Sequence, residues 1–320
     1  MLFEGSEKKA EVHIDDAQLS LLDDFDDAFW ATLVAHSRAK ILSKIENDSC
    51  KAFLLSESSL FVWQDHFQIL TCGETQTVNS VQFFIEHVGK DKIKHVCYQR
   101  KNEYFSHSQP SSFGDDIKRL QQLIPGKAYR FGELDSHHTF IFHQDNDYFV
   151  NKEDKTYEFL AYEISEQASQ LLTTQGLSKS AIRKFLHLDA LLPECTIDDY
   201  VFDPYGYSLN AIVQDKYLTI HITPQSGSSY VSFESNINLI SHASRLIDIL
   251  EPASVDVLSF NDGDFKAQLK HCIPQNYVNK SLVEHTLSNG NYICFVNIIR
   301  PATQFSAPAV IEITQTNNAL

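Results

Sequence analysis

Two stretches of the chain repeat the same order of strand, helix and strand. The first stretch reads as a strand, a helix and a strand at Phe67–Cys72, Val78–Val88 and Ile93–Tyr98. The second stretch repeats this order at Tyr230–Phe233, Ala243–Leu250 and Val255–Phe260. Self-similarity of this kind indicates two halves with one architecture. We therefore expect an α/β chain in which two sheets pack together and the helices lie outside.

The N-terminal part of the chain contains further short elements. We predict an amphipathic helix at 26–36, a hairpin of Lys40–Ile45 and Lys51–Leu55, and strands at Leu60–Val62 and Phe67–Thr71. The connections between elements are short, and no low-complexity linker interrupts them. One domain over residues 1–320 is the simplest interpretation.

The charge balance narrows the possible partners. The chain has 26 Lys and Arg against 42 Asp and Glu, a formal net charge of −16. Such a chain repels nucleic acid and anionic membranes and suits a cationic small molecule. Its apolar runs, such as Tyr292–Ile299, are shorter than the ~20 residues of a bilayer span, and its N-terminus lacks the pattern of a signal peptide. We expect a soluble, cytoplasmic protein.

Several familiar sites are poorly supported. The six cysteines are scattered without metal-ligand spacing, which argues against a zinc site or a disulfide framework. His137 and His143 would lie about 20 Å apart on one strand face, too far to share an ion, so we expect solvated histidines and no metal. Gly206–Asn210 lacks the second glycine of a nucleophile elbow, and no glycine-rich phosphate loop is present.

Six separate segments carry a more specific pattern. They are Phe3–Lys8, Leu55–Ser59, Thr71–Gly73, Phe202–Ser208, Thr219–Pro224 and Tyr230–Glu234. In this order and at this spacing, they resemble the eukaryotic-type S-adenosylmethionine decarboxylases. The resemblance extends from Phe3 to about Asn236, and the remaining residues match only loosely.

The resemblance implies a fold and a maturation step. The fold is a four-layer αββα sandwich of two mainly antiparallel sheets, which agrees with the two similar halves. The family is made as a proenzyme that cleaves itself, here between Glu57 and Ser58, into a short chain 1–57 and a long chain 58–320. Ser58 then becomes a covalent pyruvoyl group, the electron sink that decarboxylation requires. The product donates the aminopropyl group in polyamine synthesis.

The resemblance also assigns catalytic roles. The Ser58 hydroxyl attacks the Glu57 carbonyl to form an ester, a step for which we expect a strained, exposed serine. Ser208 matches the serine that supplies a hydrogen bond to the developing oxyanion. His221 matches the base that removes the α-proton of residue 58. Cys72 matches the proton donor that acts after decarboxylation.

Other positions match the binding site for S-adenosylmethionine. Phe3 and Phe202 match the two aromatics that sandwich the adenine, and their faces also suit a sulfonium cation. Glu4 and Glu7 match acidic residues beside the reactive centre, whose charge favours a cationic substrate. Glu57 is expected to contact the nucleoside through its backbone.

A second acidic group matches the site that holds putrescine in diamine-activated relatives. Its members are Glu11, Asp154, Thr156, Glu158 and Glu234. Leu70 stands where many relatives have a lysine, and Gln99 where some have a serine. Without that lysine, we expect the cluster to need an external cation or protons. Activation by putrescine is therefore open in either direction.

Gln225 departs from the family at the substrate site. It stands where a glutamate usually bridges the ribose hydroxyls, and a neutral acceptor there costs about 1–1.5 kcal/mol of binding. This departure keeps a second hypothesis open, a pyruvoyl-dependent decarboxylase of ornithine or arginine. A third is a catalytically inactive regulatory paralogue, against which the retained processing residues argue. A homodimer is possible, since the sequence does not determine the oligomeric state.

Overall fold

The computed structural model describes residues 3–149, 151–191, 193–225, 228–303 and 308. Sixteen strands form two antiparallel sheets within these residues. The first sheet contains β1 (Lys8–Ile14), β2 (Ile41–Glu46), β3 (Lys51–Leu55), β4 (Ser58–Val62), β5 (His66–Thr71), β6 (Ile93–Arg100), β7 (Gly126–Gly132) and β8 (His138–Gln144). The second contains β9 (Thr156–Tyr162), β10 (Thr196–Val201), β11 (Tyr207–Val213), β12 (Lys216–Thr223), β13 (Tyr230–Ser235), β14 (Ser254–Phe260), β15 (Val278–Thr286) and β16 (Tyr292–Ile299).

The two sheets have the same topology. The strand order is β2-β3-β4-β5-β1-β6-β8-β7 in the first and β10-β11-β12-β13-β9-β14-β16-β15 in the second. Each strand of the first sheet therefore corresponds to the strand eight places later along the chain. The predicted repeat corresponds to β5, α2 and β6 and to β13, α6 and β14, where α2 is Thr77–Val88 and α6 is Ala243–Leu250. The prediction of two similar halves is confirmed.

The remaining helices also occupy matching places in the two halves. They are α1 (Asp27–His36), α3 (Phe113–Leu123), α4 (Glu166–Leu172), α5 (Lys179–Phe185) and α7 (Phe265–Cys272), with short 3₁₀ turns at Lys90–Lys92, Ser106–Ser108, Leu188–Ala190 and Leu239–His242. The predicted helix at 26–36 is α1, which Asp26 caps by accepting a hydrogen bond from the Phe29 N–H at 2.9 Å. No described helix is both long and apolar enough to cross a membrane.

Apolar and polar side chains alternate along the strands, so each sheet has one apolar face and one polar face. On β1, one face packs under the helices through Ala10, Val12 and Ile14, and the other presents Lys9, Glu11 and His13. On β12, Leu218, Ile220 and Ile222 join the core of the second half, whereas Thr219 and His221 point the other way. A strand has a side-chain period of two. The polar face of each sheet therefore lies toward the opposite sheet, which gives the four layers.

The space between the sheets is apolar at two places and polar in the middle. One apolar cluster joins Phe131 and Ile141 of the first sheet to Leu160 and Leu258 of the second. Another joins Phe61 and Trp63 to Ile212 and Tyr217. Charged and hydroxyl side chains fill the region between them and are almost fully buried. Such groups need partners inside the protein, because water does not reach them.

Two expectations about cysteine and histidine can be compared with this fold. All six cysteines lie in the described ranges and are free thiols, as expected from their spacing. The expectation of solvated strand histidines is wrong, because His143 is fully buried and stacks on Tyr129 with ring centroids 5.8 Å apart. His137 places its Nδ1 3.1 Å from the Asp256 carboxylate. Sheet packing, which the local pattern does not show, covers the His143 ring fully and the His137 ring in part.

Candidate active site

Ser58 follows a two-residue turn at the end of a hairpin. Leu55 of β3 pairs with Ser58 of β4, so Ser56 and Glu57 form the turn between them. Ser58 has a φ of +131°, a conformation that costs a residue with a side chain about 1–3 kcal/mol. The strain that we expected at this serine is present. The expected exposure is wrong, because the second sheet covers Ser58 and leaves it 1% exposed.

Four hydroxyl groups surround the buried imidazole of His221. Its Nε2 lies 2.9, 3.2 and 2.8 Å from the hydroxyl oxygens of Ser58, Ser59 and Thr219. Its Nδ1 lies 2.9 Å from the Ser208 Oγ. Ser208 is directly opposite His221 on the neighbouring strand. Burial lowers the pKa of His221 to about 4, so the ring is neutral at pH 7.

The contacts of Asn210 show which hydroxyl group can donate to the Nε2 of His221. Its Oδ1 lies 2.6 Å from the Ser59 Oγ and 3.1 Å from the Thr219 Oγ1. A carboxamide oxygen only accepts, so the Ser59 and Thr219 hydroxyls each donate their single proton to Asn210. The Nε2 of His221 is left to accept the proton of Ser58, and Nδ1 carries the ring proton. Sequence analysis missed Ser59, Asn210 and Thr219, although each lies one or two residues from a named site residue.

The Glu57 carbonyl oxygen is held by Cys72. The Cys72 backbone N–H donates to this oxygen at 2.9 Å, and the Cys72 thiol donates to it at 3.5 Å. Burial, followed by the nearby Glu57 and Glu7 carboxylates, raises the pKa of the Cys72 thiol well above its ordinary value. The thiol therefore keeps its proton. Ser208, which we expected to reach this carbonyl, is bonded to His221 instead.

A cavity of about 320 Å³ opens beside Ser58. Its walls include most of the residues predicted to handle the substrate: Phe3, Glu57, Ser58, Cys72, Phe202, Ser208, His221 and Gln225. Gly73, at φ +64°, lies against the Phe3 ring, and a Cβ there would approach a ring carbon to 2.9 Å. A side chain at position 73 would therefore push Phe3 out of place. Burial raises the pKa of the Glu57 side chain at the cavity wall to about 7.

Gln225 is bonded to the backbone of Phe3. Its Oε1 accepts from the Phe3 N–H at 2.9 Å, and its Nε2 donates to the Phe3 carbonyl. The two residues are 222 positions apart in the sequence. The carboxamide therefore positions one of the two predicted adenine-binding aromatics.

Glu4 and Glu7 are not among the residues that line this cavity, and the charge of Glu7 is paired. Lys101 donates to Glu7 at 2.8 Å, and the Ser232 hydroxyl donates to it at 2.9 Å. Burial opposes ionisation of Glu7, but Lys101 and His221 together hold its pKa below the ordinary value. Glu4 accepts from the Phe105 N–H at 2.7 Å, and burial raises its pKa. Glu7 therefore acts on His221 through the electrostatic field, and its charge is partly neutralised by Lys101.

The second acidic cluster contains two lysines of its own. Lys9 lies 2.8 Å from Glu234 and 3.4 Å from Glu158, and Lys101 lies 3.5 Å from each. Leu70 does not leave this cluster without a cation, because Lys9 supplies an ammonium group, but burial still raises the pKa of Glu234. Lys9 on β1 is directly opposite Leu70 on β5, so the ammonium comes from the neighbouring strand.

Gln99 and Gln68 complete this network. Gln99 donates to Glu158 at 3.1 Å, and Gln68 donates to Glu234 at 2.6 Å. Burial disfavours charge on Lys9, but the carboxylates of Glu234 and Glu158 raise its pKa overall. No sequence motif signals Lys9, because its partners lie on strands from the other half of the chain.

Comparisons with known proteins identify the family of this chain. The family described as adenosylmethionine decarboxylase matches residues 1–297. The S-adenosylmethionine decarboxylase proenzyme of Leishmania donovani is 31% identical over 280 residues, which cover 81% of this chain and 73% of that protein. The proenzyme of Xenopus laevis is 31% identical over 269 residues, which cover 78% of this chain and 80% of that protein.

A solved structure has the same fold. The crystal structure of the Trypanosoma brucei AdoMetDC-delta26 monomer superimposes with a TM-score of 0.56 at 24% identity, covering 76% of this chain and 99% of that one. The alternatives of an ornithine or arginine decarboxylase and of an inactive paralogue find no support in these matches. The family match extends beyond residue 236 to residue 297, so it covers most of the segment that resembled the family only loosely. The chain belongs to the adenosylmethionine decarboxylase family.

Proposed function

We propose that this chain decarboxylates S-adenosylmethionine with a pyruvoyl group that it makes from its own Ser58. The observation that carries the proposal is the contact between the Ser58 hydroxyl and the Nε2 of His221, 2.9 Å apart in a strained turn. A hydroxyl on a neutral imidazole beside a polarised carbonyl is the arrangement that intramolecular acyl transfer requires.

The processing step uses only groups of this chain. His221 takes the Ser58 proton, and the Ser58 Oγ forms a bond to the Glu57 carbonyl carbon, whose oxygen accepts the hydrogen bonds from Cys72. The C–N bond to residue 58 then breaks, and its nitrogen takes up a proton, which leaves an ester. Release of the strain at φ +131° favours this step.

His221 also acts after the ester has formed. It removes the α-proton of residue 58, and the Glu57 carboxylate leaves with the electron pair of the C–O bond. The resulting dehydroalanine takes up water and loses ammonia to give a pyruvoyl group. Both proton transfers require a neutral imidazole, which agrees with the pKa of about 4.

The residues around position 58 fit the pyruvoyl group and its substrate. When present, the group supplies the electron sink for loss of the α-carboxylate. Cys72 holds a protonated thiol at this position and donates a proton to carbon after decarboxylation. Phe3 and Phe202 lie in the cavity wall, where their rings would contact the adenine and the sulfonium of the substrate.

Intact mass of the denatured protein tests the processing. We expect one chain that ends at Glu57 and a second, with a blocked N-terminus, that reacts with carbonyl reagents. Release of labelled carbon dioxide is then compared among carboxyl-labelled S-adenosylmethionine, ornithine and arginine, and only the first should be a substrate. An uncut chain, or turnover of ornithine or arginine alone, would refute the proposal.

The buried network of lysines and glutamates between the two sheets makes a diamine activator unnecessary. Lys9 and Lys101 place two ammonium groups among the Glu7, Glu158 and Glu234 carboxylates. These two charges are fixed in the fold and compensate much of the carboxylate charge without a ligand. The enzyme is therefore expected to reach full activity without putrescine.

A further inference from the structure

Three side chains outside the candidate active site form a set of serine, histidine and carboxylate. The Ser254 Oγ lies 3.3 Å from the Nε2 of His137, and the Nδ1 of His137 lies 3.1 Å from both carboxylate oxygens of Asp256. None of these three residues lines the cavity beside Ser58. Processing and decarboxylation therefore leave this set without a role.

The set is assembled from both halves of the chain. Ser254 and Asp256 are two residues apart on β14, so their side chains project from the same face of the strand. His137 directly precedes β8 of the first sheet. Ser254 and His137 are 117 positions apart in the sequence and meet only because the two sheets pack together.

The hydrogen bonds determine which nitrogen of His137 carries the proton. Asp256 is buried and also accepts from the Asn297 Nδ2 at 2.8 Å, which holds its carboxylate in place. The carboxylate accepts the Nδ1 proton, so the lone pair of Nε2 faces the Ser254 hydroxyl. Burial opposes charge on His137, but Asp256 and Glu163 raise its pKa overall. The imidazole is therefore a stronger base than an ordinary histidine.

Two tyrosine hydroxyls beside the set indicate a place for a ligand oxygen. The Tyr162 ring packs edge to face on the His137 ring with centroids 4.3 Å apart, and the Tyr104 ring packs on Tyr162 at 5.9 Å. Both hydroxyl oxygens are buried and have no hydrogen-bond partner of normal geometry among the described residues, and Tyr162 is only 1% exposed. Buried donors without partners are costly, and phenolic hydroxyls stabilise developing oxyanions.

We propose that Ser254 is an activated nucleophile that hydrolyses carboxylic esters of small acyl groups. A neutral imidazole that is oriented by a buried carboxylate activates a serine hydroxyl in this way. Hydrogen bonds between nucleophile and base are often long before a substrate binds, which agrees with the 3.3 Å separation.

The reaction balances with water as the only co-reactant. The Ser254 Oγ forms a bond to the acyl carbon while its proton passes to the Nε2 of His137. The C–O bond of the ester then breaks, and the alcohol leaves with that proton. Water attacks the acyl-serine and gives one proton to His137, which returns it to the serine oxygen as the carboxylic acid leaves.

Exposure and charge limit the substrate. Ser254 is 9% exposed and the His137 side chain 20%, so only a small acyl group such as acetyl reaches the hydroxyl. The Asp256 and Glu163 carboxylates act on His137 and repel anionic esters. Neutral acetyl esters are therefore the expected class.

Labelling of the processed protein with a fluorophosphonate tests the nucleophile. This probe modifies serines that an adjacent base activates, and tandem mass spectrometry locates the modified residue. We expect label at Ser254 in the unaltered chain and none there in His137→Gln. Absence of label from Ser254, or equal labelling of Ser254 in the His137 variant, would overturn the proposal.

Hydrolysis of p-nitrophenyl acetate distinguishes catalysis from a purely structural hydrogen-bond network. Ser254→Ala should lower the rate of nitrophenolate release about a hundredfold. The control Ser180→Ala changes an exposed serine on α5 and should hydrolyse the ester as the unaltered chain does. Both variants should decarboxylate S-adenosylmethionine normally, which shows that they fold.

Ester hydrolysis at the unaltered rate in Ser254→Ala, or an equal loss in the Ser180 control, would contradict the role of Ser254. If His137→Gln does not fold, the label on the unaltered chain and the kinetics of Ser254→Ala decide.

Discussion

The side-chain amide of Gln225 pairs with both backbone polar groups of Phe3, accepting from its N–H and donating to its carbonyl. A glutamate at this position could still accept, but it has no proton for the carbonyl. The residue that departs from the family pattern is therefore tied to the predicted adenine site through Phe3.

Substitutions at Gln225 should separate its contact with Phe3 from its contact with the ribose of the substrate. Gln225→Ala removes both hydrogen bonds to Phe3 and is expected to raise the KM for S-adenosylmethionine about tenfold, with little change in kcat. Gln225→Glu gains a charged acceptor toward the ribose but loses the donor to Phe3, so its KM should stay within about threefold of the wild type. Steady-state kinetics measures both. A Glu variant that binds tenfold more tightly would show that the ribose contact dominates.

Ser58 and His221 should fail at different stages of processing. Ser58→Ala has no hydroxyl to attack and should remain uncut. His221→Ala should form the ester more slowly, because water must then take the Ser58 proton, and should stall there, because no base removes the α-proton. Hydroxylamine cleaves esters, so it should release the short chain from the His221 variant only, as seen by denaturing electrophoresis. Identical behaviour of the two variants would contradict the assigned roles.

The pH dependence of processing should follow the buried imidazole. His221 acts as a base, so the rate falls as the pH drops through its pKa, which burial lowers to about 4. We expect the rate of chain scission to hold from pH 7 to about 5 and to decline near pH 4. A decline centred near pH 6.5, the ordinary pKa of histidine, would show that the ring is not desolvated during the reaction.

Asn210 should be a positioning residue for His221. Asn210→Leu leaves the Ser59 and Thr219 hydroxyls free to donate to Nε2, in competition with Ser58, and should slow processing about tenfold or more. Asn210→Asp keeps the acceptor oxygen and should restore most of the rate. Mass spectrometry over time measures scission. Equal slowing in both variants would indicate a purely structural role.

Lys9 should take the place of an external diamine. Lys9→Met leaves the Glu158 and Glu234 carboxylates undercompensated and should lower the free energy of unfolding by about 3 kcal/mol. Added putrescine should recover part of this loss and of the activity, and it should leave the wild type unchanged.

The matched control is Lys44→Met. Lys44 pairs with Asp27 and Glu46 on the surface at 2.8 and 2.9 Å, and its loss should cost less than about 1 kcal/mol. Urea unfolding with and without putrescine measures both variants. Activation of the wild type by putrescine would contradict the role given to Lys9.

The local sequence was sufficient for several features of this protein. The strand–helix–strand repeat predicted two similar halves, because side-chain periodicity is a property of neighbouring residues. The helix at 26–36 and the strands on either side of Ser58 were predicted for the same reason. The motifs around Ser58, Cys72, Ser208 and His221 were also sufficient to recognise the family.

The tertiary structure decided which of these residues meet. His221 reaches Ser58 across 163 positions, and Lys9 stands opposite Leu70 because β1 pairs with β5. Neither contact follows from local pattern, since strand order and register are set by how both sheets bury their apolar faces. The burial that keeps His221 neutral and covers Ser58 has the same origin. The sequence therefore determined which chemical groups are present, and the packing of the two sheets determined their partners and protonation.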